Sequence, residues 1–206
     1  VSNDSAELIR RKWGVDPEVV YHGVDQDDFG PNQPGAEEVR QELQVPEDSN
    51  LFIYVGILYP KKRILTLLEA IPKILSQNPD AEFLIIGRGP QEQLMESKIE
   101  ELGIRQKVHV KDYVEDIAAY YAASDIFVMP SIIEEFGIVY VEAMQTGLPI
   151  IAADIPVAKE VVGEAGVYFE PENSESLAKV ANDLLMSQGK QTELKQNGLE
   201  RAKKFT

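Results

Sequence analysis

Short apolar runs, separated by longer stretches of mixed polarity, form the main pattern of this chain. A short and nearly continuous apolar run is typical of a strand that is buried on both faces of a parallel sheet. The predicted core strands are 51–56, 81–87, 107–111, 125–131, 148–153 and 166–169, and a further short strand is predicted at 19–21. Because most of these runs recur at intervals of about 30 residues, they suit successive βαβ units.

The stretches between the strands carry helical patterns that end at glycine or proline. The predicted helices are one within 1–13 that begins after a serine cap, 36–43, 64–77, 90–102, 115–123, 138–145, one that begins at 154–156, 174–185 and 191–205. Ser2 or Ser5 is expected to cap the first helix, and Gly103 and Gly147 follow the ends of two others. The alternation predicts an α/β fold with a doubly wound, Rossmann-like parallel sheet, whose ligand lies at the carboxyl ends of the strands.

Composition and charge narrow the class of protein. The chain has 206 residues, of which 44% are hydrophobic, and this length and composition are typical of a globular protein with one well-buried core. Its formal net charge is −15. This acidic balance disfavours nucleic acid and anionic membranes as direct partners. The chain lacks cysteine, so it has no disulfide framework, and no apolar run approaches the roughly 18 residues of a spanning helix. It begins at Val1 rather than at an initiator Met, so we expect a fragment of a longer protein. No basic, apolar leader suggests secretion, so we expect that protein to be cytoplasmic.

The stretch 134–142 carries the most unusual chemistry. Glu134 lies in a predicted loop, and Glu142 is the only charged residue from 136 to 144, in a helix that is apolar nearly all round. A buried carboxylate needs hydrogen-bond donors, and the free amides at a helix start favour an anion. A nucleotide-diphosphate sugar, with its phosphate at the amides and its hydroxyls at both glutamates, would satisfy all three groups. Two simpler explanations stay open: Glu134 and Glu135 complement the positive helix end, or Glu142 pairs with a lysine or arginine.

The same stretch resembles the E-x7-E signature of the retaining GT-B glycosyltransferases, a family that includes sucrose, trehalose and bacterial mannosyl- and glucosyltransferases. The family form is close to E-G-F-G-L-P-x-x-E-A-M-A-x-G-x-P-V-I. The matching residues are Glu134, Phe136, Gly137, Ile138, Glu142, Ala143, Met144, Gly147, Pro149 and Ile150. Glu135 replaces the usual glycine and Val139 the usual proline. The resemblance extends over roughly the whole chain.

A second family segment, G-R-L-x-x-x-K-G, follows the first core strand. The matching residues are Gly56, Leu58 and Lys62. Ile57 stands in place of the arginine and Arg63 in place of the last glycine. In the family the arginine and the lysine hold the diphosphate of the donor, since no metal does so in this fold. Either Arg63 or Lys61 compensates for the isoleucine, or phosphate binding is weaker, and a basic run such as 61–63 is also compatible with a plain solvated loop.

Other segments extend the resemblance with further departures. Residues 87–90 form a G-x-G-P turn like that of the family, and no third glycine follows at the spacing of a dinucleotide fingerprint, so we expect a close-approach turn. Asp112 replaces a family glycine. Residues 22–25 resemble the N-G-V-D segment that leads into the C-terminal domain, with His22 in place of asparagine.

The resemblance implies two regions: residues 1–30 end the N-terminal domain and connect it, and residues 31–206 form the nucleotide-sugar-binding, C-terminal half of a GT-B fold. Lys62 would neutralise the phosphate and the departing nucleotide, and Glu134 would accept hydrogen bonds from sugar hydroxyls, so both are assigned as catalytic. The donor-binding residues would be Gly56, Arg63, Phe136, Gly137, Ile138 and Glu142, with Glu142 on the ribose. No metal and no cofactor are implied, and the donor substrate is a UDP-sugar or a GDP-sugar.

The implied reaction moves a hexose from a nucleotide-diphosphate sugar to a sugar, lipid or other acceptor. The acceptor would bind a missing N-terminal domain, so this chain alone is expected to bind donor without transferring it, and any peripheral membrane contact would come from that domain. The alternative is a catalytically inactive nucleotide-binding or interaction domain of the same fold, which Ile57 and Asp112 support. A dehydrogenase ranks third because the dinucleotide fingerprint is missing.

Overall fold

A computed structural model describes residues 2–25 and 28–205, apart from the side chain of Asp4. Within this part of the chain, one sheet of six parallel strands has the order β3-β2-β1-β4-β5-β6. The strands are β1 (Leu51–Val55), β2 (Glu82–Ile86), β3 (Val108–Lys111), β4 (Ile126–Met129), β5 (Ile150–Ala153) and β6 (Gly166–Phe169). The chain first winds outward from β1 to β3 and then returns to the other side of β1. The boundary between β1 and β4 is therefore the topological switch point, where ligands of such sheets bind.

Helices cover both faces of this sheet. They are α1 (Asn3–Trp13), α2 (Ala36–Glu42), α3 (Ile64–Leu75), α4 (Glu92–Leu102), α5 (Ile117–Ala122), α6 (Ile138–Thr146), α7 (Pro156–Val162), α8 (Ser174–Leu185) and α9 (Gln188–Ala202). Short 3-10 turns occupy Pro60–Lys62, Arg105–Lys107 and Gly163–Ala165. Helix α3 packs against α4 and α8, while α6 packs against α5, α7 and α9. The central strands are buried between these two groups, apart from the half-buried Val55 at the end of β1, which confirms the predicted doubly wound fold.

The prediction of a strand at 19–21 is wrong. The described residues 14–25 contain no strand, and Val20 is 66% exposed. Tyr21 instead packs its ring 5.6 Å from that of Phe136 and 5.5 Å from that of Phe205. β-branched residues favour an extended backbone, but a strand also needs a neighbour to pair with, and other segments form both edges of this sheet.

Several helix ends also differ from the predicted ones. Ser2, and not Ser5, caps α1, because its hydroxyl oxygen accepts a hydrogen bond of 3.2 Å from the Ser5 amide. Helix α4 begins at Glu92 rather than at Pro90, and α9 spans 188–202 rather than 191–205. These shifts of a few residues leave the order and type of the elements unchanged.

The predicted close-approach turn at 87–90 is confirmed. A Cβ atom on Gly87 would lie 1.9 Å from the carbonyl oxygen of Gly56, and one on Gly89 would lie 2.8 Å from the backbone of Leu58. The Leu58 amide donates a hydrogen bond of 3.0 Å to the carbonyl of Arg88. Both glycines are therefore needed so that the loop after β2 can pack on the loop after β1.

None of the helices in the described part of the chain is long and apolar enough to cross a lipid bilayer.

Candidate functional site

A cavity of about 530 Å³ opens at the carboxyl ends of β1 and β4. Its walls are His22 and Gly23, then Ile57, Tyr59, Lys61 and Lys62 after β1, and finally the continuous run 134–139 after β4. Segments that are far apart in the chain meet here because β1 and β4 are neighbours in the sheet. The cavity thus lies at the switch point, where the strand order predicted a ligand.

Lys62 and Glu134 form an ion pair inside this cavity. The Lys62 ammonium donates a hydrogen bond of 2.6 Å to Oε1 of Glu134, and the two side chains are only 15% and 7% exposed. The 3-10 turn Pro60–Lys62 brings the lysine inward, and the loop after β4 brings the glutamate. The sequence assigned each residue its own part of a ligand. The structure joins the two, so a ligand that engages either must share or replace this contact.

The start of α6 forms the part of the wall next to Glu134. Gly137 precedes the helix with a φ of 78°, and a Cβ atom there would lie 2.6 Å from the ring of Tyr140. No side chain caps this helix start, so its first amides are available to an anion in the cavity. The Phe136 ring is buried and packs against Phe205 at 5.7 Å between ring centroids. Phe136 and Ile138 can therefore offer backbone amides rather than polar side chains.

Glu142 lies deeper in α6 and does not line the cavity. Its Oε2 accepts a hydrogen bond of 2.8 Å from the hydroxyl of Tyr121, a fully buried residue. Burial raises the pKa of the Glu142 carboxyl, and the Tyr121 hydrogen bond acts in the opposite direction. The hydrogen-bond partner of Glu142 is thus a tyrosine, not the lysine or arginine considered from the sequence.

Gly56 and Arg63 also lie outside the cavity lining. Arg63 has a left-handed backbone, with a φ of 52°, and its guanidinium pairs with Glu172. The left-handed conformation explains why a glycine suits this position. A Cβ atom on Gly56 would lie 3.0 Å from the hydroxyl oxygen of Tyr54, so this glycine keeps the strand end close to a buried ring.

Two buried tyrosines beneath the site were missed in the sequence. Burial is the main cause that raises the pKa of Tyr54 and of Tyr140, and the charge of Glu134 adds to both shifts. The Tyr140 hydroxyl is buried and has no hydrogen-bond partner in the described part of the chain. In the sequence both residues belong to apolar runs, and nothing in such a run indicates which carboxylate its rings will face.

Among residues 2–25 and 28–205, no three His, Cys, Asp or Glu side chains are grouped closely enough to hold a metal ion.

Comparison with known proteins identifies the family. The family described as glycosyl transferases group 1 matches residues 35–201. An uncharacterized glycosyltransferase of Methanocaldococcus jannaschii is 31% identical over 166 residues, which cover 78% of this chain and 42% of that protein. A GDP-mannose-dependent alpha-(1-6)-phosphatidylinositol monomannoside mannosyltransferase of Mycolicibacterium smegmatis is 28% identical over 174 residues, or 79% of this chain and 45% of that protein.

A solved structure shows the same fold. Anabaena Alr3699/HepE, in complex with UDP and glucose, aligns with a TM-score of 0.89 and 26% identity over 99% of this chain and 57% of that protein. The chain thus spans about half the length of the curated relatives that it matches. The family match covers most of the chain, including both loops of the cavity. The chain belongs to the group 1 glycosyl transferases.

Proposed function

We propose that this chain is the donor-binding, C-terminal domain of a retaining glycosyltransferase that moves a hexose from a nucleotide-diphosphate sugar to an acceptor. The observation that carries the proposal is the largely buried ion pair of Lys62 and Glu134, which lines the same cavity as an uncapped helix start. Cation, carboxylate and free amides are the groups that a sugar phosphate requires. The Anabaena structure, which holds UDP and glucose, supports this choice of ligand.

The proposed mechanism is stabilisation of the leaving nucleotide by fixed donors. The amides of Phe136, Gly137 and Ile138 hold phosphate and sugar oxygens at the start of α6. Lys62 shares its ammonium between Glu134 and the phosphate, and so offsets the negative charge that grows as the glycosidic bond breaks. Glu134 accepts hydrogen bonds from sugar hydroxyls and keeps the ring in place. These groups act without a metal in the proposed mechanism.

Glu142 is proposed to bind the ribose. One of its oxygens is held by Tyr121, which fixes the carboxylate and leaves the second oxygen to accept from a ribose hydroxyl. Gly56 is proposed to act only by letting the donor approach the end of β1. Arg63 is left out of the proposed site because its guanidinium pairs with Glu172 outside the cavity.

Two bases remain candidates for the donor. The Anabaena structure contains UDP, whereas the Mycolicibacterium relative is GDP-mannose-dependent. The acceptor is proposed to bind a domain outside residues 1–206, since the relatives are about twice as long as the matched region. Transfer would then need that domain, and this chain alone would bind donor only. A cytoplasmic location, with membrane contact only through that domain, is part of the same proposal.

Calorimetric titration of this chain with UDP, GDP and ADP tests donor binding. Saturable binding of one nucleotide is expected, and Lys62→Gln should weaken it about 10-fold or more because a charge-assisted hydrogen bond is lost. Glu142→Ala should also weaken it. Lys179→Gln, which changes an exposed lysine on α8, is the matched control and should leave binding unchanged. If folded wild-type chain binds none of the three nucleotides, the donor-domain proposal is wrong for this chain.

A catalytically inactive nucleotide-binding or interaction domain is the second candidate. Ile57 favours it, because an exposed apolar residue faces the cavity where a phosphate needs a cation. A transfer assay on the full-length protein, with and without Glu134→Ala, separates the two candidates. Turnover that the substitution abolishes supports the transferase, and nucleotide binding without turnover supports the inactive domain.

A further inference from the structure

The formal charges at the cavity cancel. The charged side chains in its lining are Lys61, Lys62, Glu134 and Glu135. Lys62 is already bound to Glu134 at 2.6 Å, so much of its charge is offset before any ligand arrives. The uncapped start of α6 supplies roughly half a positive charge. The whole chain carries a net charge of −15, so a diphosphate, which is ionised at neutral pH, needs a further local cation.

Arg63 cannot supply that cation in this geometry. Its guanidinium pairs with Glu172 in the turn between β6 and α8. Its backbone is left-handed, with a φ of 52°, directly before the first residue of α3, and its side chain does not line the cavity. Arg63 is therefore committed to its ion pair with Glu172.

Lys61 is placed differently. Its carbonyl oxygen accepts a hydrogen bond of 3.0 Å from the Ile132 amide, and the hydroxyl of the buried Ser131 lies 3.2 Å from the same oxygen. This contact fixes the Lys61 backbone to the loop that carries Glu134. Its side chain lines the cavity, and its ammonium has no ion pair or hydrogen bond within residues 2–25 and 28–205. A lysine binds phosphate as a point charge, and the uncommitted ammonium of Lys61 is available for that contact in the cavity.

Ile57 makes this charge necessary. It is 55% exposed at the same cavity, after β1, and its side chain contributes no hydrogen-bond donor and no charge. We propose that Lys61 supplies the second cation for the diphosphate of the donor, in the place where Ile57 offers none. This inference rests on the proposed function and identifies the phosphate contacts of that same site.

The test is calorimetric titration with inorganic pyrophosphate, UDP and GDP. Lys61→Gln should weaken pyrophosphate, and whichever nucleotide binds, by about 10-fold or more, the effect expected when one charge-assisted contact is lost. Arg63→Gln should have a much smaller effect. Lys179→Gln changes an exposed lysine that does not line the cavity, and it controls for the change in net charge.

A rescue variant distinguishes charge from mere position. Adding Ile57→Arg to Lys61→Gln returns a cation to the cavity and should restore most of the lost affinity. The proposal is overturned if Lys61→Gln binds like the wild type, if Arg63→Gln causes the larger loss, or if Ile57→Arg restores nothing. Wild-type binding with no effect of Lys61→Gln overturns this inference alone. Failure of the wild type to bind UDP, GDP and ADP overturns the proposed function and this inference with it.

Discussion

Helices α3 and α6 begin in nearly the same way, and the start of α6 lines the cavity. Each follows a neighbouring strand of the switch point, and each is preceded by a residue in the left-handed region, Arg63 for α3 and Gly137 for α6. No side chain caps either start. At each start, the amide three residues later donates a hydrogen bond to the carbonyl of the left-handed residue. These bonds are 3.0 Å from Thr66 to Arg63 and 2.9 Å from Tyr140 to Gly137.

The side chains around the two starts are what differ. At α3 the left-handed residue carries a guanidinium that pairs with Glu172. At α6 the left-handed residue is a glycine, and the cavity with the Lys62–Glu134 pair lies directly beside it. A helix start with free amides is therefore backbone geometry that α3 and α6 share. Which start can receive a ligand is decided by the side chains that surround it.

The largest expected effect is that of Gly137→Ala. The added Cβ would lie 2.6 Å from the Tyr140 ring, and the alanine backbone would have to keep a φ of 78°. Left-handed strain and overpacking together should lower the free energy of unfolding by about 3 kcal/mol, measured by urea denaturation. Gly103→Ala is the matched control, since its φ is 65° and no atom lies within 4 Å of the added Cβ. A loss of about 1 kcal/mol is expected there, and equal losses would contradict the overpacking.

Lys62→Met tests the contact that distinguishes α6 from α3. It removes the partner of Glu134, whose side chain is 7% exposed, and leaves a nearly buried carboxylate unpaired. A loss of about 2 kcal/mol in unfolding free energy is expected, less than for a fully buried pair. The double variant Lys62→Met with Glu134→Gln should recover part of this loss, because the buried charge is gone. Additive losses would show that the two side chains do not interact.

Arg63→Gly and Arg63→Ala together isolate the backbone at the start of α3. Both remove the ion pair with Glu172, so the difference between them reports the left-handed conformation. The glycine variant should be more stable than the alanine variant by about 1 kcal/mol in urea denaturation. Equal stability would mean that Arg63 does not keep its left-handed backbone in solution.

The smallest effect on stability is expected for a substitution of Glu142. Glu142 is the fifth residue after the left-handed residue at the start of α6, and Leu68 has the same place in α3. Burial raises the pKa of Glu142, so the folded chain favours its protonated form. The contribution of Glu142 to stability is then present at low pH and is lost as the pH rises through its folded-state pKa. Glu142→Gln should therefore be more stable than the wild type at about pH 7, and the difference should shrink towards about pH 4.

Glu200→Gln is the control with the opposite sign. Its hydrogen bond with Lys203 lowers the pKa of Glu200, so the wild-type contribution is present at neutral pH and is lost as the pH falls. Urea denaturation at both pH values measures the two variants side by side. The same direction of change for both would contradict the role of burial at Glu142.

The fold, and the loops that line the candidate cavity, could be predicted without coordinates. Continuous apolar runs are buried on both faces in a parallel sheet, so the six core strands and the doubly wound fold could be predicted. Gly87 and Gly89 could be assigned to a close approach because two glycines in one short turn leave room for another backbone. The two loops of the site were located for the same reason, since each follows an apolar strand and precedes a helix.

Which charged side chains meet could not be predicted from the chain and follows from its three-dimensional packing. Lys62 and Glu134 are 72 residues apart in the chain, and their contact depends on β1 and β4 being neighbours in the sheet. From the sequence, either Arg63 or Lys61 could compensate for Ile57, and Arg63 was assigned as a donor-binding residue. A left-handed backbone at Arg63 and a hydrogen bond to the carbonyl of Lys61 direct the two side chains differently. Apolar periodicity reports which face of an element is buried, whereas side-chain direction and partners depend on packing between distant segments.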